Sequence, residues 1–169
     1  VRQQLIAVAV GLVAAIVAVA TLAALTLLAA QLGAFSGRPP TQLGHRDGRL
    51  KPPSKTPNSV SSQAGLWPDH PRRGTAAIEP LSVKGDGPAS MARLAQVVEG
   101  MAGARIVERR SDYLYVQFTT KLMRFVDDTE FWFDPAAGVI HVRSASRVGS
   151  NDFGVNRARI EAIRARLNG

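Results

Sequence analysis

The chain has 169 residues, with 21 Lys/Arg against 13 Asp/Glu for a formal charge of +8, and no cysteine. The lack of thiols excludes a disulfide framework, a cysteine nucleophile and a thiolate metal centre. The basic excess is uneven: Arg38 to Thr75 carries seven Lys/Arg against Asp47 and Asp69, while Ala76 to Gly169 carries thirteen against eleven acids. Basic residues clustered beside an apolar segment, without an interleaved stripe of aromatics, point to anionic lipid headgroups and not to nucleic acid.

Gln3 to Gly37 holds 35 residues without a charge, dominated by Ala, Val and Leu. At ~1.5 Å per residue such a helix reaches roughly 50 Å, too long for the apolar core of a cleaved signal and too short for two spans of ~30 Å. Residues 1–37 are therefore expected to form one tilted transmembrane helix, with residues 3–37 in the lipid bilayer. Because the first residue is Val and not Met, the natural chain is expected to extend further or to start at a non-standard codon. Small residues at Ala14, Ala15, Ala18, Ala20, Ala23 and Ala24 would let another helix of a membrane complex approach closely. Arg2 on one side faces Arg38, Arg46, Arg49 and Lys51 on the other, so charge alone places the domain in the cytoplasm.

Residues 38–57, rich in Pro and Gly with scattered basic charge, read as a flexible tether. Residues 58–169 read as one domain. Ala76 to Val83 is a short edge strand, limited by Pro80. Pro88 to Met101 places Met91, Leu94, Val98 and Met101 at helical spacing, with Ser90 as N-cap and Gly103 as stop. Four β-rich runs follow, Ala104–Glu108, Tyr113–Thr119, Phe125–Phe133 and Val139–Ser144, with short turns joining the first pair and the last pair as hairpins. Asn156 to Leu167 carries Ile160, Ile163 and Leu167 on one face and reads as an amphipathic helix. The expected fold is α+β: an antiparallel sheet of four or five strands with two packed helices, preceded by the transmembrane helix.

Three stretches, PNSVSSQ (Pro57–Gln63), FVDDTEFWF (Phe125–Phe133) and RSASRVGSNDFGVNRARIEAI (Arg143–Ile163), closely resemble the bacterial and plastid family of unknown function called DUF1499. The resemblance runs from about Lys51 to Leu167 and implies a proteobacterial, membrane-anchored member. It supplies no activity. It implies that the first and third stretches meet in space. Many relatives carry two cysteines flanking the first motif, which implies an oxidising compartment such as the periplasm; here the matching positions are Pro53 and Ser59. An inner-membrane protein with a periplasmic domain is the resulting expectation, against the charge count.

Strand alternation puts Asp128 and Glu130 on one face with Trp132, and Asp127 on the other with Phe131 and Phe133. If this strand pairs with the next, Arg143 or Arg147 reaches the carboxylates. One reading is an ion-pair network that fixes register; the other is a polar pocket for an anionic or carbonyl-bearing ligand, built from Asp127, Asp128, Glu130, Arg143, Ser144, Ser146, Arg147, Asp152, Asn156 and Arg157. Arg143, Arg147, Asp128 and Asn156 form its expected centre, with Arg147 bridging the acidic strand to the Asn156 helix. Asp152 or Asn156 is expected to cap that helix. The motif loop Pro57, Asn58, Ser61 and Ser62 is expected to clip the domain entrance to the sheet by side-chain turns. His45, His70 and His141 lack any repeated ligand spacing, and no cofactor or metal motif is present. The expected function is a membrane-anchored binding or accessory module, for a small anionic ligand or a subunit of a membrane complex. No residue is assigned to catalysis; the alternative is a hydrolase with Asp127, Asp128 or Glu130 as general base.

Overall fold

The computed structural model describes all 169 residues. Helix α1, Arg2–Gln31, is long and apolar enough to cross a membrane, and nothing packs along it until Ala30. The rest is an antiparallel sheet with helices on one face, the α+β architecture expected.

The sheet has six strands. Its centre is a meander of β3 (Ala104–Arg109), β4 (Tyr113–Thr119), β5 (Val126–Asp134) and β6 (Val139–Ser146), each paired antiparallel to the next. Two short strands, β1 (Ser59–Ser61) and β2 (Leu81–Ser82), share the remaining edge of β6. The run Ala76–Val83 is thus a strand only at Leu81–Ser82, because residues 73–76 turn into the short helix α2 (Arg73–Ala76) and Pro80 has no N–H for the ladder. In the meander, turns alternate between ends: residues 120–125 and the exit from β6 lie at one end, residues 110–112 and 135–138 at the other.

Helices α3 (Gly87–Glu99) and α4 (Val155–Asn168) cover one sheet face. Met91, Leu94 and Val98 from α3 and Ile160, Ile163 and Leu167 from α4 join Leu114, Val116, Phe131, Ile140 and Val142 in the main core. The cap of α3 is Asp86, whose Oδ1 accepts from the Ala89 N–H at 2.6 Å. Ser90 is not the cap: Pro88 already suits the first helical turn, and Ser90 instead exchanges bonds with the N–H and C=O of Lys84.

Residues 38–57 depart most from expectation. They lie as a strap across the sheet face opposite the helices, where Leu50, 1 % exposed, forms a second core with Tyr113, Tyr115 and Trp132, and Leu43 packs beside it. Arg46 and Arg49 exchange backbone bonds around Asp47 (φ 51°) and Gly48 (φ 71°), a tight turn with both central residues in the left-handed region. Gln63 fastens it, accepting from the Leu50 N–H at 2.8 Å and donating to the Gly48 carbonyl at 2.7 Å.

Candidate functional site

The polar residues singled out in the sequence fall into two networks on opposite faces of β5 and β6. On the helix face, Asp127 pairs with Arg159 (2.5 Å), and Arg159 also donates to Asn156 Oδ1 (2.8 Å). Ser144 donates to the same oxygen at 2.5 Å and shares a hydrogen bond with Thr129. The Asn156 amide donates to Ser146 Oγ, Asp152 Oδ2 and the Asn58 carbonyl. Asn156 is fully buried with every polar atom engaged. It ties α4 to β6 and to the motif loop, and its role there is structural.

Asn58 completes that junction by donating to Gly149 O (2.8 Å), while its carbonyl receives the Ser146 N–H. The Asp152 N–H bonds the Pro57 carbonyl. The two motifs therefore do meet. Ser61 is buried in β1 and accepts from the Gln63 N–H. Burial alone pushes the Asp152 carboxyl up, but bonds from the N–H groups of Asn156 and Gly154 and from the Asn156 amide outweigh it and hold the group below the usual carboxylate range. The N-cap of α4 is nevertheless Gly154, in the left-handed conformation, and neither Asp152 nor Asn156; Asp152 stands two residues before it and receives the N–H groups of Gly154 and Asn156. Arg157 stands apart, donating to the carbonyls of Thr75 and Ala77 near the surface.

The strap face holds the other network. Asp128, 3 % exposed, accepts a bidentate pair from Arg147 (Nε 2.7 Å, Nη2 2.7 Å) and the Tyr115 hydroxyl at 2.5 Å. That hydrogen bonding raises the Arg147 pKa over the opposing effect of burial. Glu130 is fully buried; its Oε1 accepts from the Tyr113 hydroxyl (2.8 Å) and the Gly44 N–H (2.7 Å), while Oε2 has no partner. Burial and the neighbouring Glu130 push the Tyr113 phenol far up, so it stays a donor throughout the physiological range. Arg143 sits opposite Glu130 in the ladder but forms no ion pair; its Nε donates to the Pro52 carbonyl at 3.0 Å, and burial lowers its pKa against the pull of Glu130 and Asp128.

Arg147 and Asn156 are therefore not joined. The chain passes from one sheet face to the other between them, so the expected centre of Arg143, Arg147, Asp128 and Asn156 is split by the sheet, and Arg147 bridges β5 to β4 and not to α4. All three carboxylates of the acidic strand are engaged by donors.

Ser62 and His141 form a third, smaller group. The Ser62 hydroxyl lies 3.1 Å from His141 Nδ1, and His141 Nε2 lies 3.7 Å from Asp134. The order of groups is that of a hydrolytic relay, but Ser62 Oγ also receives the Val142 N–H at 2.9 Å and so substitutes for a backbone partner where β1 ends. His141 stacks on Trp132 (5.6 Å between ring centres), and burial pulls its pKa below 6.5 despite Asp134. A lowered folded pKa means that the unfolded chain takes up the proton first, so stability falls as pH drops through the unfolded value near 6.5. The urea midpoint should be lower at pH 5.5 than at pH 7.5, and His141→Gln should shrink that difference. An unchanged difference would show that the imidazole is not the group responsible.

Above the strap face lies a cavity of about 530 Å³ between the strap and the Trp67 loop, lined by Gln42, Arg46, Asp47, Arg49, Lys51 and Trp67 among others. Three cations face one acid. Arg49 sits over the Trp67 ring at 5.9 Å, and the Trp67 indole N–H is buried without a partner. Burial and then the charge of Arg143 lower the pKa of Lys51, whose amine donates to the Thr41 carbonyl.

Sequence reasoning missed Tyr113, Tyr115, Arg159 and the strap residues. The tyrosines were accessible to the alternation argument, since antiparallel pairing of β4 with β5 puts Tyr113 and Tyr115 on the Asp128 and Glu130 face; Arg159 lies one helical turn from Asn156. No match is found among curated proteins or solved structures. Residues 49–167 match the family model described as "Protein of unknown function (DUF1499)", a span that takes in the second half of the strap, Gln63 and both polar networks. The chain belongs to the DUF1499 family.

Proposed function

We propose that the protein is a membrane-anchored binding module, held by α1 in the inner membrane, which receives a small anionic ligand in the cavity between the strap and Trp67. The observation that carries this reading is the composition of that cavity: Arg46, Arg49 and Lys51 against Asp47, beside a buried indole N–H that lacks an acceptor. A carboxylate, sulfate or phosphate would supply the counter-charge. The four charges beneath the strap, Asp128, Glu130, Arg143 and Arg147, balance, so Lys51 of the strap is a cation in excess, and it reaches the cavity. No observation favours the carboxylate-base hydrolase, since Asp127, Asp128 and Glu130 are already held by Arg159, Arg147 and Tyr113.

Calorimetric titration of the full chain in mild detergent with inorganic phosphate, sulfate and citrate tests this proposal. At least one polyvalent anion should bind, more weakly at high salt. Arg46→Glu with Arg49→Glu should abolish binding while leaving the melting temperature near wild type, because both side chains are exposed. Absence of binding at millimolar anion, or binding indifferent to the double variant, overturns the reading. The reading takes the domain to be periplasmic. Labelling of a Ser111→Cys variant by a membrane-impermeant maleimide in cells with a permeabilised outer membrane and an intact inner membrane checks that side, and failure to label returns the domain to the cytoplasm.

A further inference from the structure

Beyond α1, eight large apolar residues are exposed, and five of them, Leu122, Phe125, Val148, Phe153 and Val155, gather at one end of the sheet. Phe125, Val148, Phe153 and Val155 line one groove of about 330 Å³. Phe153 is 91 % exposed at the tip of a turn, where its N–H is bonded to Asn151 Oδ1 and its φ is 51°. A fully exposed phenylalanine held in a left-handed turn contributes nothing to the core.

What covers this end follows from where α1 meets the domain. Gln31 at the end of α1 donates to the Leu122 carbonyl at 3.0 Å, and the Phe35 and Phe125 rings lie 5.9 Å apart. Gly37 (φ 67°) lies so close to Arg147 that an added Cβ would come within 2.7 Å of the Arg147 Cβ. The apolar helix therefore leaves the domain at the same loops that expose the apolar residues. A 30-residue helix is ~45 Å long, which matches the ~40–45 Å of a bilayer with its headgroup regions, so a bilayer centred on α1 brings its headgroups to the level of these loops.

Beside the groove lies a cavity of about 530 Å³ lined by Lys121, Arg124 and Arg159, with no acid in its wall. Arg159 is committed to Asp127, but Lys121 and Arg124 are exposed and form no ion pair. Of the two carboxylates near the groove, Asp127 is paired with Arg159, while Asp152 stays ionised and turns its oxygens to the N–H groups at the start of α4.

From the common location of these features, we infer that the sheet end formed by residues 120–125 and 147–155 rests on the bilayer, with Phe153, Leu122, Val148 and Val155 entering the hydrocarbon edge and Lys121 and Arg124 holding anionic phospholipid headgroups. Apolar wedges ringed by cations are the chemistry of interfacial lipid binding. The domain then stands upright, with the turns at 110–112 and 135–138 farthest from the membrane. This inference rests on the anchoring role of α1, and the experiment separates the two.

The cysteine-free chain permits single labels at Ser150→Cys beside the groove and Ser111→Cys at the opposite end; both side chains are exposed and make no hydrogen bond. The full-length variants, carrying a nitroxide, are reconstituted into vesicles of phosphatidylcholine with 0 or roughly 30 % phosphatidylglycerol, a range that turns on the surface charge. Flotation reports anchoring, and collisions with oxygen and with a water-soluble nickel chelate report depth. The Ser150 label should be several-fold more accessible to oxygen than to nickel, and the Ser111 label should show the reverse. Phe153→Ser should move the Ser150 label toward water in both compositions, and Lys121→Glu with Arg124→Glu chiefly in the anionic vesicles. If the chain floats but both labels are equally aqueous, this inference falls and anchoring stands. A Ser150 label shielded from both reagents means that a second copy or a protein partner covers the face, which also overturns it. A chain that fails to float overturns both readings.

Discussion

Arg147→Ala is expected to destabilise the domain by about 3–5 kcal/mol, the cost of breaking a buried ion pair from one side. Arg147 and Asp128 have side chains 7 % and 5 % exposed, and the guanidinium meets both carboxylate oxygens. Removing it leaves a buried carboxylate with the Tyr115 hydroxyl as its remaining donor. Asp128→Asn in the Arg147→Ala background should recover part of the loss, since a neutral amide costs far less to bury than an unpaired charge. Arg164→Ala serves as the contrast: its partner Glu161 is half exposed, so loss of that pair costs ~0–1 kcal/mol, apart from the bonds of Arg164 to the carbonyls of Glu79 and Pro80. Urea unfolding of these variants at neutral pH decides the matter. A loss below about 1 kcal/mol for Arg147→Ala would mean that the pair is screened like a surface pair.

The strap carries the second large effect. Leu50→Ala is expected to cost about 2–5 kcal/mol, because Leu50 fills the space above Tyr113, Tyr115 and Trp132 and the rings cannot all collapse onto an alanine. Truncation gives a sharper comparison. A chain starting at residue 38 keeps the strap and should unfold cooperatively. A chain starting at residue 58 loses Leu50, the Gly44 N–H on Glu130 and the Pro52 carbonyl on Arg143 together, leaving a buried glutamate and arginine to face water across an uncovered aromatic surface. It should have a lower urea midpoint or lose its cooperative transition. Equal midpoints for the two truncations would return the strap to the status of a passive tether.

The meander was legible in the sequence because its information is local. Alternation along Phe125–Phe133 placed Asp128, Glu130 and Trp132 on one face, and the Asp134–Gly138 turn joined that strand to the next; both hold in the structure. The same is true of α3 and α4, whose buried residues follow the helical repeat of their own segments. The strap was misread although one local signal was present. Asp47-Gly48 is a tight-turn dipeptide, but it lies in a stretch with too few apolar residues to show period, and Leu43 and Leu50 become anchors only when a sheet face of tyrosines and a tryptophan lies beneath them. That face is assembled from β4, β5 and β6, far along the chain.

The sequence by itself determined the four strands of the meander, the two packed helices, the apolar first helix and the side of β5 on which each carboxylate lies, since each depends on residue spacing within one element. The tertiary structure alone decided which partner each charge takes. Arg143 in β6 and Arg147 just past its end lie on the same side of the sheet, four residues apart, yet only Arg147 pairs with a carboxylate: Glu130 turns Oε1 to the Gly44 N–H and Tyr113, and Arg143 turns its Nε to the Pro52 carbonyl. Asn156 follows Arg147 by nine residues but ends on the opposite face of the sheet, because the loop between them carries the chain around the sheet end before α4 begins. Pairing across a sheet and crossing from face to face depend on register and on chain path, which bring together residues that spacing along one segment does not relate.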